Sequence, residues 1–456
     1  MLGIDHLYIL DANPPTFLSM ESSLQNNPAA SRVAIIGGGA AGFFAALAIK
    51  DSSPATDVSI YEKSNQYLTK VRISGGGRCN ATHECFDPSH LAKFYPRGSK
   101  ELRGAFYRWQ PLDTINWFSA RNVDLKAEPD GRMFPTTDQS QTIIDCFMNE
   151  AHQLGVRLFQ KSGVRSIKVN EDKTFTIQLS SDDLIVVDAV CIAIGSLKQS
   201  PMAKSLEYIG HRIEALAPSL FAFNIQDSRI QGLAGLSVQN VKIQVLGSKK
   251  VQTGPLLITH KGLSGPADLK TSAWEARVLK SKDYKFQISV NWMGSVSDKE
   301  LREQFSELRT KHGKNKVRRS PFPEIPRRLW DRFISPLKFD PELVWAQFPK
   351  DKENSLIADL SASIYEVRGK TTNKEIEEFV DGGQTAKHYP EFVTCGGISL
   401  KEVDFRRMES KLIPNLHFAG ECLDIDGVTG GFNFQSCWTT GKIAGEAIAK
   451  RFAKSK

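Results

Sequence analysis

The chain has 456 residues, 41% of them hydrophobic, which is enough to bury the cores of two or three domains. Its 59 Lys and Arg residues against 51 Asp and Glu give a net charge of +8, which favours anionic ligands without requiring nucleic acid. Seven scattered cysteines with no C-x-x-C pair argue against a disulfide framework, a structural zinc site or a redox-active dithiol. We therefore expect a reducing, cytoplasmic location and no metal site.

The first segment, residues 1–31, is rich in turn-forming residues and lacks the basic and apolar regions of a signal peptide. We expect it to be a poorly ordered leader. The apolar run that follows at 33–49 contains four glycines and is too short for a membrane span. A strand, a turn and a helix explain it better, so no membrane partner is expected.

The next part of the chain has an α/β pattern. A buried strand at 33–36, a small-residue helix at 40–50 and a second strand at 57–62 form a β-α-β unit. Beyond them the pattern predicts a helix at 143–154, strands at 156–159, 164–169 and 175–179, and one buried strand at 185–194.

The middle of the chain changes character. Short β-like runs between glycine-rich turns at 216–292 suggest a barrel or sandwich, and residues 297–347 are charged and helical. The chain then returns to buried apolar runs and ends in a helix at 436–452. The simplest topology is a discontinuous α/β domain of Rossmann type (32–205 and 388–456) interrupted by an inserted β-barrel-like domain (206–387) with a small helical subdomain at about 297–347.

The first chemical motif is the glycine turn after the first strand. Gly37, Gly39 and Gly42 have the G-x-G-x-x-G spacing at the head of a helix, whose N-terminus offers unpaired N–H groups to a pyrophosphate. Glu62 ends the next strand twenty residues after Gly42, where a carboxylate accepts hydrogen bonds from an adenosine ribose. Together they predict a dinucleotide site rather than a bare glycine turn.

A second glycine cluster reads ISGGGRCN at 73–80. Three consecutive glycines favour neither helix nor strand, so the segment needs backbone freedom or a close approach to a flat group. Successive N–H groups there can form an anion nest, to which Arg78 adds charge. A flexible surface loop is the alternative, and the flanking Arg, Cys and Asn favour a ligand loop.

The third cluster combines AGECLD at 419–424 with GVTGGFNFQ at 427–435. A strand ends at Gly420, a glycine-rich turn follows, and a helix begins near Phe434. In flavoenzymes such a helix N-terminus faces the pyrimidine end of the flavin and favours negative charge there. Asp424 suits the hydroxyls of a ribityl chain. Three clusters of this kind favour FAD over NAD as the cofactor.

These motifs closely resemble one bacterial flavoprotein family, described as aminoacetone-oxidase-like or BaiN-type NAD(P)/FAD-dependent oxidoreductases (HI0933-like flavoproteins). The resemblance covers essentially everything after residue 31 and implies a discontinuous FAD-binding domain, an inserted β-barrel-like domain and a small helical subdomain. The matching segments are GGGAAG at 37–42, EK at 62–63, ISGGGRCN at 73–80, THKGLSGPADL at 259–269, VTCGGISLKEVDFRRMESKL at 393–412 and LHFAGECLDIDGVTGGFNFQ at 416–435.

The motifs and the resemblance together assign a set of positions to FAD. At Val164 the contact expected is between the backbone and the adenine. They are Gly37, Gly39, Ala41, Gly42, Glu62, Lys63, Lys70, Gly76, Gly77, Arg78, Cys79, Asn80, Val164, Gly195, Gly420, Glu421, Asp424, Gly430, Gly431, Phe432 and Asn433.

The chain departs from the family pattern in one region that bears on turnover. Family members have an Ala-Thr-Gly-Gly turn and a longer glycine loop where this chain has Ala193-Ile194-Gly195-Ser196 and a short 197–202 segment. Leu68-Thr69 stands where a Gly-Arg pair precedes Lys70. Substrate choice therefore does not follow from the resemblance.

The expected activity is hydride transfer between N5 of FAD and a small organic substrate held between the FAD domain and the insertion. No second G-x-G-x-x-G exists, so NAD(P)H would visit the flavin transiently, or oxygen would serve as the other partner. Cys79 and His260 are candidates for chemistry at the flavin. Packing is the alternative role for the thiol, and a structural hydrogen bond for the imidazole.

Two other functions remain open on the sequence. A flavin-holding RNA-binding or regulatory protein would use the basic stretch at 311–328, although aromatic residues are not interleaved at 311–319. A catalytically degenerate flavoprotein would explain the altered turn at Gly195. The expected partner is a small-molecule substrate rather than nucleic acid, and no oligomeric state is indicated.

Overall fold

The computed structural model describes residues 31–371 and 393–453, so the leader expected at 1–31 and the domain boundary expected at 388 lie outside them, apart from Ser31. The first stretch is an α/β region. Its helices and strands are β1 (Arg32–Ile36), α1 (Ala40–Ser52), β2 (Asp57–Tyr61), α2 (Thr69–Gly77), β3 (Thr82–His83), α3 (Pro88–Leu91), α4 (Ser99–Phe106), α5 (Pro111–Ser119), β4 (Leu125–Ala127), β5 (Arg132–Pro135), α6 (Ser140–Gln153), β6 (Arg157–Phe159), β7 (Val164–Val169), β8 (Phe175–Leu179), β9 (Leu184–Val187), β10 (Ala189–Ile192) and α7 (Pro201–Tyr208).

The middle stretch is built around a closed barrel, and the last stretch returns to the first sheet. The middle elements are β11 (Ala217–Ser219), β12 (Ala222–Ile225), β13 (Ser237–Val245), β14 (Val251–Ile258), β15 (Gly262–Ser264), α8 (Pro266–Ser281), β16 (Phe286–Asn291), α9 (Asp298–Lys311), α10 (Arg327–Ile334), α11 (Lys350–Ala362) and β17 (Ser363–Thr371). The last elements are β18 (Val393–Cys395), β19 (Val403–Asp404), β20 (Glu409–Ser410), β21 (Leu416–Phe418) and α12 (Phe432–Ala453).

One seven-stranded sheet joins the two ends of the described chain, in the order β19-β20-β21-β10-β1-β2-β6. Strands β21, β10, β1, β2 and β6 are parallel, as in a Rossmann fold. Because β21 comes from beyond residue 393 and pairs with β10, the Rossmann domain is discontinuous, as the sequence predicted.

The inserted barrel closes in the order β12-β15-β14-β13-β16-β17. Its strands alternate buried and exposed side chains, as in Phe286–Asn291, so the apolar faces fill the interior. Helices α9, α10 and α11 lie between β16 and β17 in the chain, and α11 continues the helical region beyond the stretch expected at 297–347. The predicted barrel-like insertion with helices is confirmed as an architecture.

The prediction of one strand at 185–194 is wrong. The run divides into β9, which pairs with β8 in an antiparallel meander, and β10, which lies in the main sheet. Asp188 marks the division: its side chain accepts a hydrogen bond from the Arg32 backbone N–H at 2.7 Å, and its own N–H donates to the Arg32 carbonyl at 2.9 Å. A continuous apolar run therefore conceals a change of sheet.

Two long helices, α1 and α12, pack closely beneath the sheet. A Cβ on Gly441 would lie 2.7 Å from the Ala41 carbonyl oxygen, and one on Gly445 would lie 2.4 Å from that of Ala45. The helix backbones therefore touch directly, which only glycine permits. Both helices begin at the same end of the sheet, where the glycine motifs are.

Candidate functional site

The first glycine turn has an open cradle at the N-terminus of α1. A Cβ on Gly37 would lie 2.4 Å from the Ala193 carbonyl oxygen, and one on Gly42 would lie 2.0 Å from the Gly37 oxygen, so both positions are filled by backbone. A Cβ on Gly39 would meet nothing within 4 Å. The first N–H groups of a helix have no partner within it, so an open space at the start of α1 suits a pyrophosphate.

Glu62 fixes the shape of that turn. One carboxylate oxygen accepts a hydrogen bond from the Gly38 N–H at 2.8 Å, and the other accepts from Ser64 N–H at 2.9 Å. Lys63, the next residue, is exposed, and its Cβ lies 3.2 Å from the position of a Cβ on Gly163, just before Val164. The residues assigned to the adenosine end are thus neighbours.

The second cluster has three consecutive glycines in left-handed geometry. Gly75, Gly76 and Gly77 have φ values of +59°, +69° and +84°, so the end of α2 is not helical. A Cβ on Gly76 or Gly77 would meet nothing within 4 Å, so a flat ligand can approach this backbone closely.

The side chains after the glycines face protein partners. Arg78 forms an ion pair with Glu128 at 2.6 Å and a longer one with Asp138 at 3.5 Å, and its guanidinium lies 3.9 Å from the centre of the Phe134 ring. The Asn80 side chain, with its amide oriented to satisfy both neighbours, accepts from the Gly431 N–H at 3.0 Å. Asn80 therefore links the second cluster to the third.

The third cluster ends in the N-terminus of α12. The Asn433 side chain closes the preceding turn, because it accepts from the Gly427 N–H at 2.9 Å and donates to the Gly427 carbonyl at 3.0 Å. The Phe432 ring stacks on Phe94 at 4.3 Å between ring centres. A Cβ on Gly431 would lie 2.3 Å from the Thr82 carbonyl oxygen, so the turn admits only glycine there. α12 thus starts at Phe432, two residues before the predicted Phe434.

A charged pair connects the start of α2 to the third cluster. Lys70 Nζ lies 2.5 Å from one carboxylate oxygen of Glu421, and the other oxygen accepts from the Thr394 N–H at 2.9 Å. A Cβ on Gly195 would lie 3.7 Å from Glu421. The structure therefore brings together three predicted positions from distant parts of the chain.

Asp424 is held by residues that the sequence did not single out. One of its oxygens accepts from Arg277 at 2.7 Å and from the Gly396 N–H at 3.1 Å. Arg277 lies on α8 of the insertion, 147 residues away, so no local signal could reveal the pair. Asp426 is similarly paired with Arg97, and its place in the matching segment at 416–435 was the only sequence signal for it.

The two candidate reactive side chains have very different surroundings. Cys79 is completely buried, and burial raises the pKa of its thiol to about 12, so no thiolate forms near neutral pH. This favours packing over nucleophilic chemistry. His260 is exposed in the turn between β14 and β15. The catalytic roles of both residues stay predictions.

All three clusters meet at the carboxyl ends of neighbouring parallel strands. Ile36, Ile192 and Phe418, the last residues of β1, β10 and β21, are adjacent in the sheet. Gly420 continues from β21, and its N–H donates to Thr440 on α12 at 2.9 Å, while Ala41 on α1 packs beneath it. The result is one extended cradle between two helix N-termini, which fits an elongated dinucleotide such as FAD.

The profile of the HI0933-like protein Rossmann domain matches residues 31–447. The chain belongs to the HI0933-like family. It is accordingly an FAD-dependent oxidoreductase with a Rossmann fold, as the motifs and the resemblance indicated. In the part of the chain that the structure describes, no helix combines the length and apolar character needed to span a bilayer.

Two relatives match almost throughout. The ribosomal RNA dihydrouridine synthase of Escherichia coli (strain K12) is 27% identical over 416 residues, which cover 89% of this chain and 95% of the relative. The 3-dehydro-bile acid delta(4,6)-reductase of Clostridium scindens is 25% identical over 433 residues, which cover 92% of this chain and all of the relative.

Among solved structures, the 3-ketosteroid-delta4-(5alpha)-dehydrogenase from Rhodococcus jostii RHA1 is 12% identical, with a TM-score of 0.45; the match covers 94% of this chain and 98% of the other. Since one relative is named for ribosomal RNA, the expectation that nucleic acid is not a partner is not confirmed.

Proposed function

We propose that the chain is an FAD-dependent reductase that saturates a C=C bond conjugated to a carbonyl group, with uridine in RNA as its substrate. The names of the two relatives share this chemistry. In uridine the C5=C6 double bond is conjugated to the C4 carbonyl, and dihydrouridine is the product in which that double bond is saturated. In the same way, the delta(4,6) double bonds of a 3-dehydro bile acid are conjugated to its ketone. The net charge of +8 favours RNA over a steroid acid of lower charge.

The observation that carries the proposal is the cradle between the N-termini of α1 and α12. The space at Gly39 would take the pyrophosphate, Glu62 and Val164 would border the adenosine, and the Gly76–Gly77 backbone would lie against the ring system. The positive end of α12, at Gly431 and Phe432, would favour negative charge at the pyrimidine edge of the flavin. Once reduced by the electron donor, the bound FAD would supply the hydride that goes to the substrate carbon β to the carbonyl.

The substrate would lie between the cradle and the barrel, where His260 is the candidate proton donor to the α carbon. We propose NAD(P)H as the electron donor, because the proposed reaction consumes reducing equivalents. The chain has only one G-x-G-x-x-G motif, so the nicotinamide would visit the flavin and leave.

Anaerobic stopped-flow mixing tests this assignment. NADPH or NADH should bleach the FAD band, and a uridine-containing ribosomal RNA fragment should restore it, with a gain of two hydrogens per modified uridine by mass spectrometry. A matched fragment without uridine is the control. If a 3-keto steroid enone restores the FAD band and the RNA fragment does not, the substrate is a small-molecule enone rather than RNA. Absence of bleaching with either nucleotide would overturn the reductase assignment and favour an oxidase, and a colourless protein that cannot be reconstituted would indicate a degenerate flavoprotein.

A further inference from the structure

A groove of about 920 Å³ lies at the opposite end of the Rossmann domain from the cradle. Both long helices end there, since Ser52 closes α1 and Ala453 closes α12, and both residues line it. We call it the basic groove, and we define it by its five cationic side chains: Arg108, Arg406, Arg407, Lys450 and Arg451.

The basic groove has an excess of positive charge. Among the described residues, two carboxylates, Glu409 and Glu446, line it beside the five cations, which leaves three positive charges in excess. His417 also lines it, but burial lowers the pKa of this imidazole, so it contributes no charge near neutral pH. An anion entering the groove therefore meets a concentrated positive field.

Three of the five cations are held by ion pairs, and the other two have no acidic partner in the part of the chain that the structure describes. Glu409 pairs with Arg407 and with Arg451, each at 3.3 Å. Glu446 pairs with Arg108 at 3.2 Å. Within 31–371 and 393–453, no carboxylate forms an ion pair with Arg406 or Lys450, although both side chains are exposed. An Arg and a Lys that pair with no described carboxylate, beside ordered arginines, are suited to phosphate.

Helix capping does not account for this cluster. Cations in the last turn of a helix offset its negative end, which explains Lys450 and Arg451 on α12. Arg406 and Arg407 come from the turn between β19 and β20, and Arg108 comes from the segment between α4 and α5. Three separate segments therefore direct cations to one concave surface.

The distance from the cradle limits which single ligand could occupy both sites at once. At about 1.5 Å per residue, the 13 residues of α1 span about 20 Å and the 22 residues of α12 about 33 Å. A ligand that reaches the flavin site and the basic groove together must extend over this distance and carry repeated negative charges. RNA does so, whereas a steroid or a single nucleotide does not.

We propose that the basic groove binds the phosphate backbone of a folded RNA while a uridine of that RNA occupies the flavin site. This inference rests on the proposed function, whose substrate it would anchor. Phosphate contacts of this kind position a nucleic acid without reading its sequence. The groove would thus supply affinity, and the flavin site would supply the chemistry.

The test compares two charge reversals of equal size in the FAD-loaded full chain. Arg406→Glu with Lys450→Glu alters the groove, and Lys314→Glu with Arg319→Glu alters exposed cations of the helical insertion. Kd for a uridine-containing ribosomal RNA stem-loop is measured over a salt series. The groove variant should bind about tenfold more weakly, with a salt slope smaller by about two, while the insertion variant binds like the wild type.

FAD content and thermal midpoint are measured for both variants, and Arg406→Gln alone replaces the double variant if the latter does not fold. Equal losses in both variants would mean that total charge, and not the groove, attracts RNA. A loss confined to the insertion variant would place the RNA on the helices. If the wild type reduces uridine in RNA and the groove variant binds that RNA as tightly as the wild type does, the groove proposal is wrong and the proposed function stands.

Wild-type protein that binds vesicles of anionic phospholipid but no RNA would also overturn the groove proposal. In that case enone reduction by NADPH decides separately whether the reductase assignment holds.

Discussion

At the scale of single residues, the three glycines of the first motif have different jobs. Gly37 and Gly42 are glycines because the backbone already fills the space of a side chain, whereas Gly39 opens onto the cradle. Gly39 has a φ of −98°, which alanine adopts without strain. The spacing alone predicted all three positions, but only the structure separates packing from ligand contact.

Gly39→Ala should therefore leave the apoprotein folded and weaken FAD binding about tenfold or more, because the added methyl occupies the pyrophosphate space. Fluorescence titration of the apoprotein with FAD measures the loss, and thermal melting of the apoprotein checks the fold. Gly42→Ala is the contrast, since its Cβ would lie 2.0 Å from the Gly37 oxygen and should prevent correct folding. Normal FAD affinity in the Gly39 variant would show that the pyrophosphate does not bind at this position.

His417 makes stability depend on pH. It is only 2% exposed, its Nδ1 lies 3.0 Å from the Arg407 carbonyl oxygen, and burial lowers its pKa below the ordinary 6.5. As pH falls below about 6.5, the imidazole takes up a proton in the unfolded chain before it does so in the folded chain, so stability is lost.

Chemical denaturation at pH 7 and pH 5 should show a loss of about 1–2 kcal/mol from this residue, and His417→Gln should lose correspondingly less than the wild type over the same interval. His152→Gln, on the exposed face of α6, is the matched control and should follow the wild type. Parallel pH profiles for all three proteins would contradict the assignment.

At the scale of secondary structure, the sequence predicted most elements of the Rossmann domain because its strands are short apolar runs and its first helix is rich in small residues. It missed the change of sheet at Asp188, since an apolar run has the same pattern whether its two halves pair within one sheet or within two different sheets. It also placed the start of α12 too late, because Phe432 and Asn433 resemble loop residues until their contacts across the chain are known.

The packing of α1 on α12 yields a prediction at this scale. Gly445→Ala should push the helices apart, because its Cβ would lie 2.4 Å from the Ala45 carbonyl oxygen, and it should destabilise the protein by about 1–3 kcal/mol. FAD affinity should fall as well, since both helix N-termini border the cradle. Urea denaturation and FAD titration measure the two effects.

Gly104→Ala on α4 is the matched control. A Cβ there would meet nothing within 4 Å, so the substitution should stabilise the protein by up to about 1 kcal/mol through helix propensity. If both substitutions stabilise, the two helices tolerate separation and do not depend on backbone contact.

At the scale of the whole molecule, a buried charge network joins the Rossmann domain to the insertion. Asp426 is fully buried and pairs with Arg97, and it also accepts from Ser219 on β11 at 2.8 Å. Arg97 in turn donates to the Ala273 carbonyl on α8 at 2.6 Å. The sequence predicted two domains but not this network between them. The residues of the network stand at positions 97, 219, 273 and 426, and no periodicity in the sequence connects them.

Asp426→Asn tests the network. Burial raises the pKa of the Asp426 carboxyl while Arg97 opposes the rise, and the amide would leave the guanidinium of Arg97 buried without a counter-charge. We expect the free energy of unfolding to fall by about 3–5 kcal/mol in urea denaturation. Asp182→Asn, which breaks the exposed pair with Arg165, should cost less than about 1 kcal/mol. A loss of that small size at Asp426 would mean that apolar packing, and not this charge network, holds the insertion against the Rossmann domain.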